Sequence, residues 1–176
     1  MKSEVREHVI SMLVNNRPGV LARVAGVFGR LGYNIESLCV AETISPNISR
    51  ITSVSKADPD FTEKVIKQLN RLVDVLSVAE LEDGNSVKRE MMLIGIYVDE
   101  KNRPLLHQAI SMFGCTMVSM LDSYCILQVV GNKQEVETAL NFLRPLGVKD
   151  SVRSGAVALE NKVLNDNQTS MSVSRN

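Results

Sequence analysis

Apolar and polar positions alternate with two different periods along the chain, and the changes of period mark the predicted elements. Residues 8–14 (HVISMLV) are apolar at nearly every position, which is typical of a strand buried on both faces. Residues 15–19 (NNRPG) predict a turn, and residues 20–31 then place apolar side chains at helical spacing. Gly32 supplies the stop signal of that helix. The chain therefore opens with a predicted strand, a tight turn and an amphipathic helix.

Three more strands and one more helix complete the first half. Asp60 and Glu63 are spaced like a capping box, so we expect the second helix to begin there with a side-chain cap. The predicted strands cover residues 34–42, 49–56 and 73–81. The resulting order of elements is βαββαβ.

The same order recurs after a polar segment at residues 82–86. Asn132 and Glu135 form a second capping-box pattern, and Pro145 ends the helix that they open. The other predicted elements are a helix at 102–113 and strands at 90–98, 116–120, 124–130 and 148–158. The pattern predicts an α+β fold of two ferredoxin-like βαββαβ sandwiches in tandem.

The pattern also divides the chain. We expect an N-terminal extension (1–7), a first domain (8–82), a linker (83–88), a second domain (89–159) and a disordered polar tail (160–176). Two helices on one face of each sheet would leave the other face bare. Since the first strand is apolar on both sides, we expect that face to meet another surface and infer self-association.

Composition narrows the function classes. The chain has 176 residues, 44% of them hydrophobic, and twenty basic residues balance twenty acidic ones. A neutral chain argues against a nucleic-acid partner, which needs clustered Lys and Arg. The charged N-terminal residues lack a signal peptide's apolar region, and no apolar run is long enough to span a membrane. The three cysteines, Cys39, Cys115 and Cys125, lack metal-ligand spacing. We expect a soluble cytoplasmic protein.

Catalytic signatures are absent from the sequence. His8 and His107 stand apart from any Cys or carboxylate at ligand spacing, so we interpret both as structural. No metalloprotease, nucleophile-elbow or phosphate-loop motif occurs. We therefore predict no catalytic residue, no metal site and no cofactor in this chain.

The residues that are most informative about function lie at the two ends of the first predicted helix. Gly19 lets the backbone approach a ligand, and the helix that follows presents unpaired N–H groups, which suit a carboxylate. The amide of Asn34 could donate to a carboxylate and accept from an ammonium group. The spacing alone is also that of an ordinary turn and helix end, which is the commoner interpretation.

A longer resemblance to a known family favours the amino-acid site over the ordinary turn and helix end. Residues 14–40 (VNNRPGVLARVAGVFGRLGYNIESLCV) resemble the opening of the ACT-domain regulatory subunits of acetolactate synthase, also called acetohydroxyacid synthase. Further matches lie at 49–52, 68–75, 87–93 and 152–156. The resemblance covers about residues 8 to 160 and identifies the first domain as an ACT domain.

The resemblance implies a non-catalytic subunit that forms homodimers through its ACT domains. Such subunits bind a catalytic large subunit, raise its activity and confer feedback inhibition by L-valine or a related branched-chain amino acid. Thiamine diphosphate, magnesium and flavin are then expected on the large subunit. The family's effector site lies between two ACT domains, and its polar residues map onto Asn16, Gly19 and Asn34.

Three further residues complete the predicted effector site. Val20 and Leu21, at the start of the helix, would supply N–H groups, and Ile35 would contact the aliphatic side chain of the effector. The alternative function is a free-standing ACT-domain amino-acid sensor that acts on another enzyme or a regulator. An RNA-binding sandwich is disfavoured because the predicted strands of the first domain contain no aromatic residue for base stacking.

Overall fold

Two antiparallel sheets, each with two helices on one face, make up residues 5–161, the part of the chain that the computed structural model describes. The first unit contains β1 (Arg6–Asn15), α1 (Val20–Leu31), β2 (Ser37–Glu42), β3 (Ile48–Ala57), α2 (Phe61–Leu69) and β4 (Val75–Glu80). The second contains β5 (Ser86–Tyr97), α3 (Arg103–Phe113), β6 (Thr116–Leu121), β7 (Tyr124–Gly131), α4 (Lys133–Leu143), β8 (Val148–Arg153) and β9 (Val157–Glu160). The predicted α+β fold with two ferredoxin-like units is confirmed.

The strand order places two strands inside each sheet, β3 and β1 in the first and β7 and β5 in the second. The first sheet has the order β2-β3-β1-β4, and the second has β6-β7-β5-β8, with β9 pairing the start of β5. All of these pairs are antiparallel. Consequently β2 is an edge strand of the first sheet, hydrogen-bonded on one side to β3.

Alternate residues of β1 build the first core. Ile10, Met12 and Val14 point toward α1 and α2 and are almost wholly buried. Phe61, the first residue of α2, has no exposed surface, and its ring centroid lies 4.7 Å from that of Tyr33. Burial of this apolar stripe between sheet and helices is the main stabilising contribution to the unit.

The second unit repeats the arrangement with different side chains. Met92, Ile94 and Ile96 of β5 face α3 and α4, and these three residues have no exposed surface. Its last helix begins with the predicted capping box: Asn132 accepts from the Glu135 N–H, and the Glu135 carboxylate accepts from the Asn132 N–H. Both bonds satisfy N–H groups that an α-helix leaves unpaired.

Two predicted details are wrong. No side chain caps α2, because Asp60 has helical backbone angles and its own N–H donates to the carboxylate of Asp58 at 3.0 Å. The single strand predicted for 148–158 is two strands, β8 and β9, separated by a turn at Gly155. That glycine has φ +77°, a conformation that breaks the strand and that L side chains rarely adopt.

The last described strand, β9, covers part of the bare face of the first sheet. Val9 and Val54 lie on that face and are buried against Ala158 of β9. The neighbouring positions carry small polar side chains, among them Ser11 and Thr52. The part of the bare face around Val9, which was predicted to meet another surface, thus meets β9 of the same chain.

Domain boundaries follow from the same pairing. Residues 83–88, predicted as a linker, hold a turn at Gly84 and the first residues of β5, which pair with β9. Of the predicted tail, Glu160 belongs to β9 and residues 162–176 lie outside the described residues. Of the predicted N-terminal extension, residues 1–4 also lie outside, whereas Arg6 already pairs with β3.

Replacing Phe61 by Ala tests the first core. The cavity left between α1, α2 and β1 should lower the free energy of unfolding by about 3–5 kcal/mol. Urea denaturation at a fixed protein concentration measures this. The control is Leu76→Ala on β4, where the side chain is half exposed and the expected change is within about 0.5 kcal/mol. Equal losses for both variants would contradict the assignment of the core.

Candidate functional site

The turn between β1 and α1 leaves the helix end open. Gly19 occupies the N-cap position with φ +82°, and no side chain caps the helix. A Cβ added there would also approach the guanidinium of Arg23 to 3.2 Å. The first turn of α1 contains no acidic residue, so nothing acidic on it competes with an incoming carboxylate for the N–H groups.

Asn16 ties this turn to the hairpin between β2 and β3. Its side-chain Nδ2 donates to Glu42 Oε1 at 3.0 Å and to the Pro46 carbonyl at 2.9 Å. Its backbone N–H donates to the Asn47 carbonyl at 2.8 Å. Asn16 is exposed, so the amide and the neighbouring carboxylate of Glu42 face solvent together.

Asn34 repeats the pairing of an amide with a carboxylate just before β2. Its Nδ2 donates to Glu36 Oε1 at 2.9 Å, and the residue is exposed. The Glu36 N–H already donates to the Val54 carbonyl at 2.8 Å, which anchors this segment to β3. Sequence patterns pointed to the two asparagines but missed both glutamates, because nothing in the spacing links Glu42 to Asn16.

The apolar residues of the predicted site have different surroundings. Val20 is buried at 3% exposure and belongs to the core, and its N–H donates to the Arg17 carbonyl at 3.3 Å. Leu21 is 42% exposed beside it. Ile35 is partly buried and packs against the core of the first unit.

The structure separates the predicted site into two groups. Asn16 follows the Asn15–Ile48 pair at one end of the sheet, whereas Asn34 precedes the Ser37–Val54 pair. The six steps from residue 48 to residue 54 along β3 correspond to roughly 20 Å. Gly19, Val20 and Leu21 lie at the Asn16 end and Ile35 at the Asn34 end. One chain therefore does not bring Asn16 and Asn34 together.

An ion pair fixes the start of α1. The Arg23 guanidinium lies 2.5 Å from Asp74 Oδ2, and Asn15 Nδ2 donates to the other carboxylate oxygen at 3.5 Å. The hydrogen bond from Arg23 lowers the pKa of the Asp74 carboxyl, with a smaller contribution from Asn15 in the same direction. Asp74 also accepts the Asn15 N–H through its carbonyl, so α1, β1 and the approach to β4 meet here.

Elsewhere the described residues offer little reactive chemistry. His8 is wholly buried, and its Nδ1 lies 2.7 Å from Glu80 Oε1. Burial raises the pKa of the Cys115 and Cys125 thiols, which disfavours their reactive thiolates. Within residues 5–161, no group of three or more His, Cys, Asp or Glu side chains is placed to hold a metal ion. No helix in that range has both the length and the apolar character needed to cross a bilayer.

Changing Asp74 to Asn should destabilise the chain in a pH-dependent way. Because folding lowers this pKa, the ionised carboxylate stabilises the fold above its unfolded pKa of about 3.9, and that stabilisation is lost as pH falls. The difference in unfolding free energy between the parent and Asp74→Asn should therefore be present at pH 7 and shrink below about pH 4. Urea denaturation across this range measures it, with exposed Glu100→Gln as the control. A difference independent of pH would contradict the ion pair's contribution.

Comparison with known families agrees with this architecture. Residues 10–77 match the family model described as an AHAS small subunit-like ACT domain, and residues 89–162 match the model for the small subunit of acetolactate synthase. The first match ends within β4 and the second begins within β5, so each match corresponds to one of the two sheets.

The matches to individual relatives cover nearly the whole length of each relative. The acetolactate synthase small subunit of Mycobacterium bovis is 37% identical over 154 residues, which cover 88% of this chain and 92% of the relative. A probable acetolactate synthase small subunit of Archaeoglobus fulgidus is 39% identical over 153 residues, covering 87% and 96%. The crystal structure of the acetolactate synthase small subunit from Thermotoga maritima superimposes with a TM-score of 0.82 at 35% identity, covering 88% of this chain and 97% of that one. The chain therefore belongs to the family of acetolactate synthase small subunits, with an ACT domain as its first unit.

Proposed function

We propose that this chain is the regulatory subunit of an acetolactate synthase: it binds a catalytic large subunit, raises its activity and inhibits it when a branched-chain amino acid, most simply L-valine, occupies the ACT domains. Thiamine diphosphate, magnesium and flavin would all reside on the catalytic subunit. The observation that supports the proposal is the placement of two amide–carboxylate pairs, Asn16–Glu42 and Asn34–Glu36, at opposite ends of one sheet. The first pair lies at the same end of the sheet as the uncapped start of α1.

The exposed edge of β2 supports a homodimer. Its free edge has no proline and no lysine to discourage pairing with another strand, and Val40 is 42% exposed. A second copy that added its own β2 antiparallel, across a two-fold axis, would satisfy the backbone groups of both edges. The two four-stranded sheets would then become one sheet of eight strands.

Antiparallel pairing of the two β2 strands would complete the effector site. The end of one strand then lies beside the start of the other, so Asn16 and Glu42 approach Asn34 and Glu36 of the partner subunit. Two equivalent sites result, one at each end of the joined strands. Each site contains Asn16 of one copy and Asn34 of the other. This arrangement accounts for the separation of roughly 20 Å between the two asparagines of a single chain.

An α-amino acid matches the chemistry of that composite site. Its carboxylate would accept from the amide of Asn34 and from the N–H groups at the start of α1, where the helix dipole favours negative charge. Asn16 donates both amide N–H groups to Glu42 and Pro46, so its Oδ1 would accept from the ammonium group of the effector. That ammonium group would also pair with the carboxylate of Glu42 or Glu36. Leu21, half exposed at the same place, supplies apolar surface for an aliphatic side chain.

The magnitudes are compatible with sensing. Valine has about eight non-hydrogen atoms, and a ceiling of roughly −1.5 kcal/mol per atom allows about −12 kcal/mol of binding free energy. Micromolar affinity needs about −8 kcal/mol, and charge-assisted hydrogen bonds contribute about 1.5–3 kcal/mol each. Inhibition follows only because the effector binds one state of the complex more tightly than the other.

Complementation between two variants tests the composite site. Asn16→Ala and Asn34→Ala should each leave activation of the catalytic subunit intact and abolish inhibition by valine. Mixing the two variants should restore partial inhibition, because one of the two sites in a mixed dimer then contains both native asparagines. Valine titration of the reconstituted holoenzyme measures this, with exposed Asn141→Ala on α4 as a fully inhibitable control. Full sensitivity in either single variant, or no restoration on mixing, would contradict the shared site.

Introducing charge on the free edge tests the dimer. Val40→Lys should shift the isolated chain from twice its mass of 19.4 kDa toward the monomer, since a lysine on an edge opposes strand pairing. Sedimentation analysis at several concentrations measures the change. Val118→Lys is a matched control on β6, the edge strand of the second sheet, where Val118 is 55% exposed. A dimer that survives Val40→Lys but not Val118→Lys would place the interface on the second unit.

A further inference from the structure

One turn of the second unit reaches across to the first unit at the start of β2. The Ala156 N–H donates to Ser37 Oγ at 3.1 Å, and the backbone of Gly155 lies against the same side chain. A Cβ added to Gly155 would come within 2.7 Å of Ser37 Oγ and 3.4 Å of the Leu38 carbonyl oxygen. Gly155 therefore permits both the positive φ of the turn and the close contact with β2.

The other side of this turn is held firmly in the second unit. The Ser154 N–H donates to the Met91 carbonyl at 2.9 Å, and Ser154 Oγ accepts from the Met91 N–H at 3.1 Å. Arg153, at the end of β8, lies 3.5 Å from Glu90 and 2.6 Å from Glu137 of α4. A displacement of the turn would therefore displace the central strand β5 and its helix layer together.

A cleft beside the turn concentrates the contacts between the units. Its volume is about 900 Å³, and residues of both units line it, including Glu36 and Ser37 from the first and Arg89 and Ser154 from the second. Within the described chain, the units meet around it through the turn, β9 and an ion pair between Lys133 and Glu7. The turn is the contact that joins the start of β2 directly to the second unit.

We propose that Ser37 and Gly155 are positioning residues that transmit effector binding from the ACT dimer interface to the second unit. This inference rests on the proposed function, because Ser37 follows Asn34 by three residues and Glu36 by one. An effector that draws Asn34 and Glu36 toward the partner subunit moves the start of β2. The hydrogen bond to Ala156 and the contact with Gly155 carry that movement to β5 and α4. The second unit is then the part of the chain whose position changes the catalytic subunit's activity.

Gly155→Ala tests this coupling with Gly147→Ala as a matched control. Both glycines have positive φ (+77° and +89°), so both substitutions strain the backbone, but a Cβ at Gly147 meets no atom within 4 Å. Ser37→Ala is the second variant, since it removes the hydrogen bond without adding an atom. Calorimetry measures valine binding to each isolated chain, and the reconstituted holoenzyme gives activation and the valine concentration for half-inhibition.

Gly155→Ala and Ser37→Ala should bind valine within about threefold of the parent and activate like Gly147→Ala, while half-inhibition requires about fivefold more valine or inhibition stays incomplete. Inhibition curves that superimpose on that of Gly147→Ala, with binding intact, would overturn the coupling and leave the effector site standing. A parent chain that neither binds valine nor confers inhibition would overturn the proposed function, and the coupling with it.

Discussion

The central strand β1 is the element on which the rest of the first unit depends. It is paired on both sides, and its alternate side chains face different partners: Ile10, Met12 and Val14 enter the core, whereas Val9 meets β9. Since the period of a strand is two residues, a slip by one position would exchange these faces. The register of β1 thus determines which of its side chains pack against the helices and which pack against β9.

That same strand determines where functional groups lie. Its last residue, Asn15, leads directly into the Asn16 turn and the open end of α1, while its first residues lie at the level of the Asn34 segment. The length of β1 therefore sets the separation of the two amide–carboxylate pairs. Under the proposed function, a site that needs both pairs is shared by two copies of the chain, and effector binding would then depend on the geometry of the dimer.

The second unit is attached to the first by more than a connecting segment. β9 pairs with the start of β5 and buries Ala158 against Val9 and Val54, so the second unit is packed against the first sheet. The Gly155 turn sits between this apolar contact and the hydrogen bond to Ser37. Such packed contacts have few alternative arrangements, which suits them to pass a small displacement from one unit to the other.

Local patterns in the sequence predicted much of this protein, because several elements are encoded by neighbouring residues. The helix α1, with bounds at Val20 and Leu31, follows from apolar spacing and Gly32, and the capping box of α4 follows from Asn132 and Glu135. The capping box predicted at Asp60 failed because Asp60 has helical backbone angles and Asp58, two residues earlier, accepts the Asp60 N–H that the Glu63 side chain of a capping box would accept. Here two nearby acceptors compete, and spacing alone does not choose between them.

What the sequence determined by itself was the order of elements as far as β8, the fold class and the residue types around α1. Only the tertiary structure decided that Glu42 stands beside Asn16, that Asn34 lies at the far end of the sheet, and that Gly155 breaks the last strand to reach Ser37. The physical reason is that these contacts join residues far apart in sequence, such as Ser37 and Ala156. Their formation depends on strand order and register, which come from the packing of the whole core and not from any local pattern.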